Sequence, residues 1–348
     1  CAGAITDPNL IAVCRAQGAP AASIGKIPLP TSGQAQQSSG GNPYLLPETA
    51  KTWTVGAVIR PRFFNNLSAT VDYYNIKITN AISAPTALDV INACFANITA
   101  SSATNPACTG IRRNPSTGAL SGSPADTPGL PRQLSNLGKL ATDGVDFTLD
   151  YRHGLGTWVG SQAKLAIALG GNWTHKNTFQ ATPSSVNRDC NGYYSVNCNP
   201  QPRWSFNERT TLSLGRLDLS VLWRYLGSEQ FEPLQMASDI ASATSRNAAA
   251  QAAGKALPCP DFQGTDPKGC LVDPAFRHIK AYNYFDFATR FNVNEHFELT
   301  FTITNLFDRQ PPVVGNTIGT TAYDSGNTYP STYDPLGRRF TAGARIKF

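Results

Sequence analysis

The chain has 348 residues, of which 41% are hydrophobic and only 15% are charged. This length suffices for one large domain or two ordinary ones, and the low charged fraction excludes a charged coiled coil and a highly charged disordered chain. The net charge is +6, but the basic residues are scattered without a run of Lys or Arg, so nucleic acid is not expected as a partner.

The first 48 residues contain no clear strand, and the part from about residue 18 is rich in Ser, Gly and Pro. We expect residues 1–48 to form an external loop or partial segment, ahead of a domain spanning residues 49–348. The chain starts at Cys1, and no basic-plus-apolar leader follows it. These features predict a fragment or a processed product. No stretch approaches the roughly 18 consecutive apolar residues that a membrane helix needs.

The eight cysteines fall into four local couples along the chain. They are Cys1 with Cys14, Cys94 with Cys108, Cys190 with Cys198, and Cys259 with Cys270. No CxxC motif is present and the histidines are dispersed, so no metal or other cofactor is expected. Disulfide pairing within each couple is the simplest of many possible connectivities, because each couple lies in one turn-rich segment. The alternative is eight unpaired, buried thiols. Disulfides predict an oxidising compartment.

From residue 49 onward the hydrophobic pattern has a period of two, which is typical of β-strands with one apolar and one polar face. At the C-terminus, for example, Phe340, Ile346 and Phe348 share the apolar parity with two alanines. Nine segments follow this rule. They lie at about 53–59, 67–73, 145–151, 165–169, 204–214, 217–225, 285–291, 297–303 and 340–348. The fifth is the least regular, because Glu208 falls on its apolar parity.

The connections between these segments alternate in length. Short connections are predicted at about 61–66, 153–157, 215–216 and 292–296, and long ones at about 81–134, 176–201, 228–279 and 307–334. This alternation is typical of an antiparallel up-and-down sheet with one rim of tight turns and one of long loops. Short helices are expected inside two long loops: one after the capping box Thr86–Asp89, and one in the Ala-rich run that ends at Gly254.

Alternation also fits a β-sandwich, which is the more common source of such a pattern. Three features favour a membrane barrel: an apolar parity rich in aromatic residues, strands of about ten or more residues, and the asymmetry of the two rims. Aromatic residues near the predicted strand ends, such as Trp53, Tyr151, Trp173 and Tyr225, fit the aromatic girdles of such barrels.

Four stretches resemble the C-terminal part of the barrel in TonB-dependent outer-membrane receptors. Residues 42–56 (NPYLLPETAKTWTVG) resemble that family's entry into a strand, and residues 143–151 (DGVDFTLDY) resemble the strand after a long external loop. Residues 304–308 (TNLFD) match a signature near the penultimate strand. Residues 337–348 (GRRFTAGARIKF) resemble the closing strand, whose Phe340, Ile346 and Phe348 would form the signal read by the barrel-assembly machinery.

The resemblance implies a segment of about nine strands from a larger barrel of about 22 strands, in the outer membrane of a Gram-negative bacterium. It implies energy-coupled uptake of a siderophore, cobalamin or carbohydrate, with TonB acting through an N-terminal plug that is not found in this sequence. Outer-membrane lipid and a small-molecule or oligosaccharide ligand are the further partners. The alternatives are a passive porin and a surface β-protein that binds carbohydrate. The sequence does not identify the ligand.

No enzyme motif is found, and an enzyme is not expected. The strand carboxylates lie on the polar parity, where a hydrated lumen explains them better than a catalytic cluster; they are Asp72, Asp146, Asp150, Asp218 and Asp286. Five loop tyrosines are candidate ligand contacts, because their rings can stack on a planar ligand or a sugar. They are Tyr193, Tyr194, Tyr323, Tyr329 and Tyr333. Packing within the loops is the alternative role for these rings.

Overall fold

The structure is a computed structural model of the chain. It describes residues 1–2, 5–28, 35–158, 160–252, 254–260, 270–315 and 327–347. Phe348 and Tyr323, which carry two of the sequence predictions, lie outside the described residues.

Nine long strands form the main sheet. They are β1 (Thr49–Ile59), β2 (Leu67–Ser83), β3 (Ser135–Trp158), β4 (Ser161–Gln180), β5 (Trp204–Leu214), β6 (Leu217–Leu226), β7 (Tyr282–Asn292), β8 (Phe297–Thr304) and β9 (Arg339–Ile346). Each strand is hydrogen-bonded to its neighbours in chain order, and a short strand, Arg188–Asp189, adds to β4. The predicted all-β, antiparallel up-and-down architecture is therefore confirmed.

The strand registers place the alternating residues in continuous rows. On one face, Leu165 of β4 lies opposite Leu212 of β5, which lies opposite Leu219 of β6. On the other face, Lys164, Ser213 and Asp218 form the corresponding row. Because side chains alternate between faces along every strand, the sheet has one apolar face and one polar face.

Aromatic rings cluster on the apolar face. Trp53 packs on Tyr73 with ring centroids 5.1 Å apart, and Trp173 packs on Trp204 at 5.9 Å. Further along, Tyr225 stacks on Phe206 at 4.7 Å. Cross-strand aromatic pairs of this kind stabilise a sheet beyond the area they bury.

The connections show the predicted alternation, with one correction. Short connections span 60–66, 159–160, 215–216 and 293–296, and long ones span 84–134, 181–203, 227–281 and 305–338. The turn predicted at 153–157 is wrong, because β3 continues through these residues to Trp158. Within this part of the strand Gly156 has a φ of +81°, a backbone conformation that glycine adopts readily.

Four α-helices lie in the loops and the N-terminal segment: α1 (Pro8–Ala16), α2 (Ala87–Phe95), α3 (Pro106–Thr109) and α4 (Pro233–Ala252). The predicted capping box is present at α2, where Thr86 accepts from the Asp89 backbone and Asp89 accepts from the Thr86 backbone. The helix predicted in the Ala-rich run is α4, and Gly254, the predicted stop, lies just beyond it with a φ of +64°.

All eight cysteines are paired as the local couples predicted: Cys1–Cys14, Cys94–Cys108, Cys190–Cys198 and Cys259–Cys270. No helix in the described part of the chain combines the length and the apolar character needed to cross a membrane.

The chain divides into two compact units. Unit 1 comprises Cys1–Lys51, Ile76–Ala141 and Thr178–Arg188. Its core joins α1 to α2 and α3 through Val13, Val90 and Ile111. The buried guanidinium of Arg113 donates to the Gln17 side chain at 2.7 Å, and burial lowers the pKa of Arg113 to about 10.

Unit 2 comprises Thr52–Asn75, Thr142–Asn177 and Asp189–Phe348. Its largest buried cluster consists of loop residues packed on the beginning of β7. The members are Tyr194, Phe231, Val272, Ile279, Tyr282, Tyr284, Val314, Tyr329 and Tyr333. Tyr282 and Tyr284 lie on the polar face of the sheet, in register with Leu226 and Arg224. The loops of this unit therefore pack against the polar face.

Candidate functional site

A cleft of about 430 Å³ lies on the polar face in unit 2. One row of side chains beside it consists of Gly170, Asn207, Arg224 and Tyr284, which face one another across β4 to β7. Gly170 opens the cleft, because a Cβ atom added to it would have no other atom within 4 Å. The full lining is Asp146, Gly170, Gly171, Asn172, Ser205, Phe206, Asn207, Arg224, Tyr225, Leu226, Tyr284 and Thr332.

An arginine held in a fixed position forms one side of this cleft. The Arg224 guanidinium donates two hydrogen bonds to the Asp286 carboxylate, both at 3.0 Å. It lies over the Tyr284 ring, 4.9 Å from the centroid. The backbone N–H of Asn305 also donates to Asp286, at 2.7 Å. Two-point pairing with a carboxylate and stacking on a ring both restrict an arginine, so this group is preorganised.

The opposite side carries amide and carboxylate groups. The Asn172 side chain donates to Asp146 at 2.7 Å and to the Tyr74 hydroxyl at 3.1 Å. Asp146 is exposed, and Asn172 is half-buried. Donors and acceptors thus face the cleft from both sides, which suits a polar ligand with several hydrogen-bonding groups.

Three loops meet above the beginning of β7 and form what we call the loop cap. It consists of the described residues of loop A (189–203), loop B (227–281) and loop C (305–338). Short strands join the first two loops, because Tyr193–Tyr194 pairs with Glu229–Phe231, which also pairs with His278–Ile279. Thr332 of loop C contributes to the cleft lining. The loop cap therefore borders the cleft.

Tyrosine hydroxyls connect the three loops. Tyr194 of loop A donates to the Phe276 carbonyl of loop B at 2.6 Å, and Tyr333 of loop C donates to the Glu229 carboxylate of loop B at 2.8 Å. Tyr329 of loop C donates to the Ser195 carbonyl of loop A at 3.4 Å. Desolvation raises the pKa of Tyr194 and of Tyr333 above the ordinary value, so both hydroxyls stay protonated and remain donors.

Two buried glutamates lie in this cap. Glu229 and Glu232 are each 1% exposed, and the Ser195 hydroxyl donates to Glu232. Burial raises the pKa of Glu229 to about 7, against the opposing effect of the hydrogen bonds from Tyr333 and from the Gln201 backbone. No sequence pattern marks Glu229, because its burial depends on loops that are distant in the chain.

The predicted ligand-contact tyrosines occupy different environments. Tyr194, Tyr329 and Tyr333 are at most 1% exposed, so their ring faces pack against the cap and are not open to a ligand in this conformation. Tyr193 is half-buried, with the Arg203 guanidinium 6.0 Å from its ring centroid. Tyr282 and Tyr284, which the sequence analysis did not select, join the same cluster.

The other predicted residues lie on the sheet. Asp218 pairs with Arg290 across β6 and β7, and Asp286 pairs with Arg224, whereas Asp72 and Asp150 are exposed. Phe340 and Ile346 are 64% and 59% exposed on the apolar face of β9. Among the described residues, no group of three or more His, Cys, Asp or Glu side chains is arranged to hold a metal ion.

A nine-strand antiparallel meander with an apolar aromatic face, a polar face and one rim of long loops is the architecture of a membrane β-barrel wall. The family model described as "TonB dependent receptor-like, beta-barrel" matches residues 15–306. The chain belongs to this family, whose members are transporters and not enzymes.

Solved structures similar to this chain include iron and siderophore receptors. The ferric enterobactin receptor PfeA from Pseudomonas aeruginosa is 14% identical with a TM-score of 0.49, over 90% of this chain and 34% of that one. The FrpB iron transporter from Neisseria meningitidis is 13% identical, with a TM-score of 0.47 over 90% of this chain and 33% of that one. The siderophore receptor PirA from Acinetobacter baumannii is 14% identical, with a TM-score of 0.47 over 89% of this chain and 33% of that one.

The chain thus spans about a third of the length of each of these receptors. No curated protein sequence matches it. Related receptor barrels lie in the outer membrane of Gram-negative bacteria. In such a barrel the apolar face meets lipid and the polar face lines the interior.

Proposed function

We propose that this chain is the C-terminal part of the barrel of an outer-membrane receptor that captures a scarce ligand and imports it with energy transmitted by TonB. The observation that carries this proposal is the cleft on the polar face, bordered by a disulfide-braced loop cap. A passive pore has no need for a preorganised Arg224 beside a ligand-sized cleft. The family assignment likewise favours a receptor over a porin or a soluble sandwich.

The ligand is a siderophore, cobalamin or carbohydrate in this proposal. Asp146, Asn172 and Arg224 would bind its polar groups. Of the loop tyrosines, Tyr193 is the most accessible in the closed cap, whereas Tyr194, Tyr329 and Tyr333 would contact ligand only after the loops separate. Tyr323 remains a candidate outside the described residues.

The partners follow from the same proposal. Outer-membrane lipid covers the apolar face, and TonB acts through a plug domain. The barrel-assembly machinery reads β9 through Phe340, Ile346 and Phe348. Residues 1–48 form an external segment, and residues 49–348 form the barrel segment; the proposed boundary is supported by the start of β1 at Thr49.

Uptake by cells tests the proposal. The complete gene is expressed in a strain lacking its own copy, with and without tonB, and cells are offered ⁵⁵Fe-loaded catecholate and hydroxamate siderophores, labelled cobalamin and labelled maltodextrins. We expect one probe to accumulate only when both genes are present. Accumulation that does not depend on tonB would contradict energy coupling.

A matched pair of variants tests the cleft. Gly170 and Gly154 both lie on the polar parity, and a Cβ on either would meet no other atom within 4 Å. Gly170→Trp should fill the cleft and lower uptake at least tenfold, whereas Gly154→Trp should leave it near the parent rate. Equal uptake by the two variants, at equal amounts in the outer membrane, would contradict the assignment of the cleft.

A further inference from the structure

The loop cap is closed by hydrogen bonds that run between loops rather than within them. Loop A donates to loop B through Tyr194, and loop C donates to both others through Tyr329 and Tyr333. All three rings are at most 1% exposed. Separation of any two loops therefore breaks at least one tyrosine hydrogen bond and exposes aromatic surface.

One member of this network is a group whose charge depends on pH. The Glu229 carboxyl is 1% exposed, and its Oε2 accepts from the Tyr333 hydroxyl. The Gln201 backbone N–H also interacts with the carboxyl, but Oε1 is buried without a hydrogen-bond partner. Burying an ionised carboxylate is costly unless it is paired or fully hydrogen-bonded. The closed cap therefore favours the neutral form of Glu229.

No basic side chain is among the groups that shift the pKa of Glu229. The titratable or charged groups on the elements packed beside it are Tyr193, Tyr194, Arg203, Glu232, Arg277, His278, Tyr282, Tyr284, Arg309, Tyr329 and Tyr333. Arg277 donates from Nε to the Val272 carbonyl at 2.8 Å, and His278 lies opposite Gln230 on an exposed position. No described ion pair includes Glu229.

We propose that Glu229 is a protonation-controlled latch: the three loops stay closed beside the cleft while its carboxyl is neutral, and they separate when it ionises. The opening is a property of the loops themselves, and only its consequence for ligand access rests on the proposed function. If loop opening did not depend on pH, the latch would be refuted but the receptor assignment would stand. If the protein imported no ligand, the receptor assignment would be refuted but the latch would stand.

The direction in which pH shifts the loops between closed and open follows from proton linkage. Burial raises the pKa of Glu229 to about 7, so the closed cap holds its proton more tightly than an open cap does. The stabilisation of the closed cap is complete below the ordinary glutamate pKa near 4.5 and is lost as pH rises through about 7. Between pH 5 and pH 8 the open-to-closed ratio should rise by more than about tenfold.

Hydrogen–deuterium exchange on the protein produced from the complete gene, in detergent micelles, measures this opening. After correction for intrinsic rates, protection of residues 189–203 and 327–338 should fall more than about tenfold from pH 5 to pH 8. Strand β6 provides the internal reference, because its protection should not change. Constant protection of the loops across this range would overturn the proposal.

Two variants and a control variant test whether Glu229 is the group whose ionisation opens the loops. Glu229→Gln should keep the loops as protected at pH 8 as the parent is at pH 5, whereas Glu295→Gln, an exposed acid outside the cap, should behave like the parent. Tyr333→Phe removes a hydrogen bond that favours the ionised form, so its transition should move to higher pH. An unchanged transition in Tyr333→Phe, or a parental pH response in Glu229→Gln, would each overturn the latch.

Discussion

Glu208 places a carboxyl group on the apolar face of the sheet. It lies in register with Leu169 of β4 and Trp223 of β6, and its Oε1 accepts from the Thr210 hydroxyl at 2.6 Å. It lies four positions after Trp204 at one end of β5 and six positions before Leu214 at the other. In a barrel of this family the residue faces lipid near the middle of the strand, where a polar group is costly.

The residue-level prediction is that Glu208→Leu stabilises the protein by about 1 kcal/mol, since it removes a polar group from a lipid-facing position. The control is Glu298→Leu on the polar face, opposite Arg345, which should give no such gain. Urea unfolding in lipid vesicles measures both free energies of unfolding. Destabilisation by Glu208→Leu would contradict the assigned face.

The sequence predicted some residues of the cleft and of the loop cap and missed others. Asp286, the partner of Arg224, was predicted on the polar parity because period-two alternation depends only on neighbours along the strand. The burial of Tyr194, Tyr333 and Glu229 was not predictable in that way. It arises from loops separated by as many as 134 residues in the chain, as in the contact of Tyr329 with Ser195.

The last strand is the best element on which to test which face meets lipid. On β9, Ala344 lies opposite Leu299 on the apolar face, and Thr341 lies opposite Thr302 on the polar face. We predict that Ala344→Arg costs about 2–4 kcal/mol if the position lies near mid-bilayer, and that Thr341→Arg costs much less. The yield of folded protein in the outer membrane and its unfolding free energy report both effects. Equal losses for the two variants would refute the assigned faces.

The disulfide between α2 and α3 offers a second element-level prediction. Cys94 and Cys108 are both buried and close a segment of 14 residues in unit 1. Replacing both with Ala should destabilise this unit by about 3 kcal/mol, because the unfolded segment gains conformational freedom. Limited proteolysis should then cut residues 84–131 first while β5 to β8 remain protected. Unchanged protease resistance of this segment would show that the bond contributes little.

The existence of each strand was easier to predict from the sequence than its length. The alternating cores of all nine strands were recognised, but β3 and β4 extend to 24 and 20 residues. Their outer parts lack regular alternation, because a strand that continues beyond the lipid belt no longer needs an apolar side chain at every second position. Helix α1 was missed although Asp7 caps it and Pro8 begins it, since a helix of nine residues is too short for a period of 3.6 to be evident.

At the scale of the molecule, the account rests on a continuous sheet with one face for lipid and one for the interior. A membrane sheet cannot leave an edge unpaired in lipid, so the two edges of this sheet must pair with each other or with further strands. The receptor hypothesis therefore predicts what the gene encodes before Cys1.

The most direct test of this central claim is the nucleotide sequence upstream of the codon for Cys1. The account predicts a signal peptide, a TonB box, a plug of ordinary domain size and about thirteen further alternating strands. A start codon close to Cys1, or upstream strands without a plug, would contradict energy-coupled transport.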